Sequence, residues 1–247
     1  MKYFDLHTHT VMSDGDCTPQ QLLDTANSKG YGLGISDHLF CCKLLTLRDV
    51  EHYLNELDRY DVLHGVEANL GENFTLPHKL DERVDYVIAS VHSVQDLNGE
   101  SLQLGPYFCD RAGDEGALPY TRTFTQDEAK YYLEQILRIY EFDFKNQRVD
   151  ILGHCTVHPF YDALLGQQHL SDWQDETVAL CKKYDVAMEI SGLWHCPDEE
   201  LIRKAHLAGV KFSLGSDCHQ PKHTCNLDYA LNMLHKLGVA EDRLFTA

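Results

Sequence analysis

Short apolar runs alternate with amphipathic stretches along nearly the whole chain. Seven of these runs read as strands: Tyr3–His7, Gly32–Ser36, Val62–Val66, Val84–Val91, Val149–Gly153, Val186–Ile190 and Val210–Leu214. The segments between them carry helix signals. Thr18 before Pro19 starts one helix and Gly30 stops it. Leu47, Val50, Leu54 and Leu57 form an apolar stripe at helical spacing. Ser171 with Gln174 predicts a capping box, Asp198 and Gly209 bracket a further helix, and Asn226–Leu237 ends at Gly238.

Repeated strand–helix alternation predicts an α/β fold with parallel strands. An open doubly wound sheet and a closed barrel both fit the alternation. A distorted seven-stranded (β/α)7 barrel is expected, because it brings the C-terminal ends of all strands to one rim. The chain is read as one domain, residues 1–247. The longest departure from the pattern, Gln95 to Gln147, holds a polar stretch (Asn98–Tyr120) and a helix near Thr125–Tyr140. It is expected to be an insertion acting as a lid or substrate-binding loop at that rim.

The strand ends carry the candidate chemistry. In order they offer His7 and His9, then Asp37-His38, Glu67, His92, His154, and Asp217 with His219; Asp14 adds a carboxylate after the first strand. The sixth strand has no histidine at its immediate end, although Glu189, Ser191 and His195 lie nearby. The His7-x-His9 spacing puts two imidazoles on one face of an extended backbone. One histidine at a strand end is ordinarily a packed or solvent-facing residue. With 15 histidines in 247 residues, hits at most strand ends instead predict a shared metal site at the rim. The nine candidates, His7, His9, Asp14, His38, Glu67, His92, His154, Asp217 and His219, exceed the capacity of one ion. They suit two or three divalent ions sharing a bridging carboxylate, with Zn, Mn or Fe favoured by the mixed imidazole and carboxylate set. Cys155 and Cys218 adjoin ligands, but strand alternation turns them to the opposite face, where buried thiols are expected.

Composition narrows the partners. Hydrophobic content of 43% supports a full core and excludes disorder. A net charge of −18, with no Lys/Arg run, argues against long nucleic acids and anionic membranes. No apolar run approaches the length of a membrane span. Nine cysteines, an odd number with no CxxC pair, read as reduced thiols. The first apolar run starts at Lys2, which leaves no room for a signal peptide, and a cytoplasmic setting is expected.

The chain resembles the PHP (polymerase and histidinol phosphatase) family. The matching motifs are His7-Thr8-His9-Thr10 with Ser13-Asp14-Gly15, Ile35-Ser36-Asp37-His38, the lone Glu67, Ser90-Val91-His92, Gly153-His154 and Gly215-Ser216-Asp217-Cys218-His219. The resemblance implies a distorted seven-stranded β/α barrel with three divalent ions. It assigns His7, His9, Glu67 and Asp217 to one ion. Glu67, His92 and His154 would hold a second, with Glu67 bridging, and Asp14, His38 and His219 the third. Two segments, around His92 and His154, look closest to the histidinol-phosphatase branch. That branch follows its histidine with a basic, phosphate-contacting segment, whereas this chain reads Cys155-Thr156-Val157-His158-Pro159-Phe160. The 95–147 insert also looks unlike the standard one, and Cys218 stands where Ala is common.

The implied reaction is hydrolysis of a small phosphomonoester, histidinol-phosphate-like or related, through in-line attack by a hydroxide held between two cations. His195, His158 or a water on the third ion would protonate the leaving group. Arg122 is favoured over Arg111 and Lys43 as the phosphate clamp. Trp194 and His195, or Tyr107, Phe108 and Tyr120, could pack on an organic group. Asp37 reads either as an orienting acceptor or as a solvated turn residue. The alternative enzyme is a PHP-type exonuclease or nucleotide phosphoesterase acting on mononucleotides or short oligonucleotides. A metal-dependent amidohydrolase would need a bridging lysine, which is missing from these strand ends. A non-catalytic partner domain is disfavoured by the complete ligand set.

Overall fold

The computed structural model describes residues 3–113 and 117–247. Lys2, the expected start of the first strand, lies outside them, as does part of the Asn98–Tyr120 stretch. In chain order the strands are β1 (Phe4–Asp5), β2 (Gly32–Ile35), β3 (Leu63–Asn69), β4 (Tyr86–Ser90), β5 (Ser93–Gln95), β6 (Ser101–Gln103), β7 (Ile151–Leu152), β8 (Ala187–Ser191) and β9 (Phe212–Gly215). The helices are α1 (Pro19–Lys29), α2 (Leu47–Leu57), α3 (His78–Asp81), α4 (Gly105–Ala112), α5 (Gln126–Asn146), α6 (Pro159–Asp162), α7 (Gln168–Tyr184), α8 (Glu199–Ala208) and α9 (Asp228–Leu237).

Seven strands pair in the order β1-β2-β3-β4-β7-β8-β9, every neighbour parallel. The sheet curls until its edges meet. Leu6 N–H donates to the Leu214 carbonyl at 2.9 Å, and Thr8 bridges to Cys218. The result is a nearly closed seven-stranded barrel, the form expected from strand ends that converge on one rim.

Its interior is narrow. Tyr86 fills it and donates its hydroxyl to the Leu6 carbonyl at 2.6 Å. Gly34 and Gly65 make room for that ring, since a Cβ on either would collide with it. Leu6, Ile88, Ile151 and Ala187 pack beside Tyr86, while the larger core lies between the strands and the surrounding helices.

Local signals set most helix ends. Thr18 and Gln21 form a reciprocal capping box, and Gly30 takes φ 78° at the stop. Asp198 caps α8 through Leu201 N–H at 2.9 Å, and Gly209 closes it at φ 86°. Some boundaries differ from expectation. α7 starts at Gln168, before Ser171, because Leu170 is buried and draws the first turn earlier. Gln174 is buried and donates to the Tyr161 hydroxyl at 2.5 Å, so it is no cap. In α2, Leu47 is exposed and Tyr53 joins the buried stripe in its place. α9 begins at Asp228, two residues after Asn226.

The strands differ as well. β1 ends at Asp5, so His7 follows the regular ladder. β3 runs on to Asn69, because Glu67, Ala68 and Asn69 stay paired with Ile88, Ala89 and Ser90 of β4. The 95–147 region divides in two. The antiparallel β5–β6 hairpin and α4 approach the rim, where Leu104 N–H donates to the His92 carbonyl at 2.9 Å. α5 packs with α6 and α7 in the outer helical layer.

Candidate metal centre

Glu67 stands at the middle of the rim. Its Oε2 lies 3.0 Å from His38 Nδ1, 3.4 Å from His7 Nε2 and 3.6 Å from His9 Nε2. Its Oε1 lies 3.2 Å from His154 Nε2 and 3.5 Å from His92 Nε2. Asp217 Oδ1 sits 3.2 Å from His9 Nε2 and 3.5 Å from His7 Nε2. Asp14 Oδ2 sits 3.4 Å from His219 Nε2 and 3.5 Å from His38 Nε2. Asp217 takes φ 47°, an uncommon left-handed conformation for a non-glycine residue.

The nine sequence-nominated residues therefore meet in one place. Among the described residues, three overlapping groups have ligand atoms close enough to share an ion: His9, Asp14, His38 and His219; His7, His9 and Asp217; and His38, Glu67 and His92. These groups differ from the sets implied by the family resemblance. His9 also joins the Asp14 group, His38 joins Glu67 and His92, and His154 meets Glu67 outside the three groups.

The donor atoms fit cations better than they fit one another. His7 Nε2, both nitrogens of His9, His38 Nδ1, Glu67 Oε1 and Asp217 Oδ1 are buried without a hydrogen-bond partner. Such orphaned atoms are individually costly, and their clustering at one point calls for a ligand. Donors held about 2.1 Å from a tetrahedral zinc stand about 3.4 Å apart. The separations around Glu67 and Asp217 fall close to that edge length.

A surrounding layer orients the donors. Glu189 Oε1 lies 2.7 Å from His7 Nδ1, and Oε2 accepts from His154 N–H at 2.6 Å. Asn69 Oδ1 lies 2.7 Å from His92 Nδ1. Trp194 Nε1–H donates to Asp217 Oδ2 at 2.5 Å. Asp37 is fully buried, which corrects the solvated-turn alternative. It accepts from Thr10 N–H at 2.7 Å, from the Thr10 hydroxyl at 2.6 Å and from the Ser13 hydroxyl. Asp37 thus fixes the loop that carries Asp14. Asp5 anchors the far side by accepting from Ser216 N–H at 2.8 Å, the Ser216 hydroxyl at 2.6 Å and Cys225 N–H at 3.0 Å.

Electrostatics follow from the packing. Burial, aided by neighbouring imidazoles, pushes His9 down to about 3. Burial also pushes His92 down to about 3, against the pull of Glu67. For His7, burial disfavours the charged ring, but Glu189, Asp217 and Glu67 outweigh it and raise the pKa. Burial likewise opposes the charged ring of His219, and Asp14 and Asp217 overcome it to raise that group to about 9. Glu67 and Asp217 pay a burial penalty, yet the facing imidazoles hold both well below the carboxylate range.

Other nominated residues sit elsewhere. His195 is exposed, at φ 50°, and stacks on Tyr229 with ring centres 5.0 Å apart. A bridge between Ser191 and Cys196 turns the segment so that Trp194, rather than His195, faces the metal-site residues. Arg122 lies over the Phe124 ring at 4.8 Å, away from the cavity. Arg111 pairs with the Tyr107 hydroxyl at 2.9 Å and Asp162 at 3.4 Å, and Lys43 donates to the Val11 carbonyl at 2.9 Å. His158 is buried at the head of α6, where Nδ1 accepts from Tyr161 N–H at 3.2 Å. Cys155 and Cys218 are buried thiols, and burial raises Cys218 to about 12.

Sequence reasoning assigned no role to Glu189 or Asn69. The available signal was one charge inside the otherwise uncharged β8 segment, and an amide two residues past Glu67.

Comparison with known proteins agrees with this geometry. The PHP domain model matches residues 5–192, and the chain belongs to that family. It is a hydrolase. A Vibrio parahaemolyticus protein named as a probable phosphatase is 26% identical over 266 residues, covering 98% of this chain and 88% of that one. A DNA polymerase/3'-5' exonuclease of Bacillus subtilis is 25% identical over 231 residues, covering 87% of this chain and 34% of its own. The fold matches that of the Lactococcus lactis histidinol phosphate phosphatase, solved with zinc, L-histidinol and phosphate. The TM-score is 0.67 at 19% identity, covering 97% of this chain and 95% of that one.

Proposed function

We propose that this protein is a metal-dependent phosphatase that hydrolyses a small, soluble phosphomonoester. One observation carries the reading: buried imidazole and carboxylate atoms from separate strand ends converge at one point, and several of them make no hydrogen bond. The nine residues from His7 to His219 would hold two or three ions, with Zn, Mn or Fe suited to the donor set and Glu67 placed to bridge. Bound divalent cations there supply a nucleophile from water at neutral pH and offset the charge of the phosphoryl group.

The chain's own residues do the rest. Glu189 and Asn69 fix the tilt of His7 and His92, and each carboxyl or amide oxygen sets which ring nitrogen faces the cavity. Trp194 holds Asp217 in place. α4 brings Phe108 to 5.3 Å from the His154 ring and 5.7 Å from His92, which excludes water from one side. We assign the β5–β6 hairpin and α4 as the cover of a single domain. Leaving-group protonation falls to a group inside the cavity or to water, because His195 and His158 do not line it.

The PHP exonuclease reading rests on the Bacillus relative, but the −18 net charge disfavours a polynucleotide. An odd count of nine cysteines with no CxxC pair suits reduced thiols, and we place the protein in the cytoplasm on that ground. Among the described residues no helix is long and apolar enough to cross a membrane.

The test is an assay of the Mn- or Zn-loaded protein against phosphomonoesters and short oligonucleotides. Release of inorganic phosphate from monoesters supports the proposal. Cleavage of oligonucleotides alone rejects it.

A further inference from the structure

We infer that Phe108 is a specificity-determining residue, selecting phosphate esters whose alcohol has a flat apolar body and no second negative charge. This rests on the phosphomonoesterase reading and adds the substrate class to it.

The cavity at the rim measures about 390 Å³. Its floor is the imidazole and carboxylate cluster, where the phosphoryl group belongs. The space left for the alcohol has two unlike sides. Phe108 and Ala112 of α4, with Leu193 and Trp194 after β8, make an apolar wall. The rings of Phe108 and Trp194 lie 5.6 Å apart. Asp16, Gln220 and His223 also line the cavity and supply its polar part above the cluster.

Among the described residues, no lysine or arginine lines this cavity. Arg111, Arg122 and Lys43 are each engaged elsewhere. The segment after His154 adds no cation, since Cys155, Thr156 and Val157 carry no charge and His158 is buried away from the cavity. A carboxylate or second phosphate on the alcohol would therefore be desolvated against an apolar wall and Asp16, with no lysine or arginine to pair with. A flat apolar body would gain contact with two aromatic faces.

The wall is held in place. The Tyr107 hydroxyl donates to Asp162 Oδ2 at 2.5 Å, and Arg111 donates to that hydroxyl at 2.9 Å. These bonds tie α4 to α6 and fix the ring beside them.

The experiment uses the Mn-loaded protein, residues 1–247, and three substrates: 2-phenylethyl phosphate, glycerol 3-phosphate and 3-phosphoglycerate. The expected order of kcat/KM is aromatic above neutral above anionic, with steps of about tenfold. Phe108→Ala should cut the phenylethyl-to-glycerol ratio about tenfold, and Phe108→Leu, which keeps apolar bulk, should recover part of it. Gln220→Lys should raise 3-phosphoglycerate turnover relative to glycerol 3-phosphate about fivefold. Turnover of all three without preference, or a ratio unmoved by Phe108→Ala, overturns this inference alone. Turnover of none of the three overturns it together with the phosphomonoesterase reading.

Discussion

Glu189 binds two strand ends at once: one carboxylate oxygen lies 2.7 Å from His7 Nδ1, and the other accepts the His154 backbone N–H at 2.6 Å. Its charge stabilises His7 as a donor through Nε2, and its hydrogen bond to the backbone sets the entry of His154 into the rim. Glu189→Gln keeps the shape and removes the charge. Metal affinity should fall about tenfold to a hundredfold, read by competition with a chelator. Unchanged affinity would mean that Glu189 serves packing alone.

Metal loading should release protons. Asp14 and Asp217 raise His219 to about 9 against its burial penalty, and carboxylates likewise raise His7 and His38. With its pKa near 9, His219 carries a proton at pH 7 in the apoenzyme, whereas a coordinating imidazole must be neutral. Titration of chelator-stripped protein with Zn in weak buffer at pH 7 should acidify the solution, and apparent affinity should rise with pH up to about 9. Binding without proton release would contradict this charge assignment.

Stability should carry a signature of Asp5. Burial raises this carboxyl to about 6 even though Ser216 and Cys225 donate to it. A raised folded pKa gives a contribution that is complete below the unfolded value, near 4, and lost as pH rises through 6. The two-unit shift corresponds to about 3 kcal/mol. Asp5→Asn removes the titration. Under identical metal loading, the stability of wild type relative to this variant should fall by about that amount between pH 4 and pH 7, measured by urea unfolding. A difference that stays flat across the interval would refute the shift.

The barrel was legible because strands and helices differ in period, and because parallel strands end their polar residues on one rim. The histidines were legible for the same reason: each follows an apolar run directly. Glu189 was not, since its partner His7 lies 182 residues away and nothing local marks the pairing. His195 was misplaced because counting past a strand assumes an extended backbone, and the chain there turns through φ 50°. Arg122 was chosen for its position in the insert. Its guanidinium instead finds an aromatic face, which sequence order does not reveal. Ser171 showed a cap signature, but burial of Leu170 outweighed the cap.

The central claim is that Glu67 gathers several cations at the rim, five imidazoles lying within 3.6 Å of its oxygens. Elemental analysis of metal-replete wild type and Glu67→Ala, paired with phosphatase activity, tests it most directly. The account predicts two or three ions per wild-type chain, fewer in the variant, and activity reduced by at least about a hundredfold. A variant with the same metal content and full activity, or a wild type that retains no ion, would contradict it.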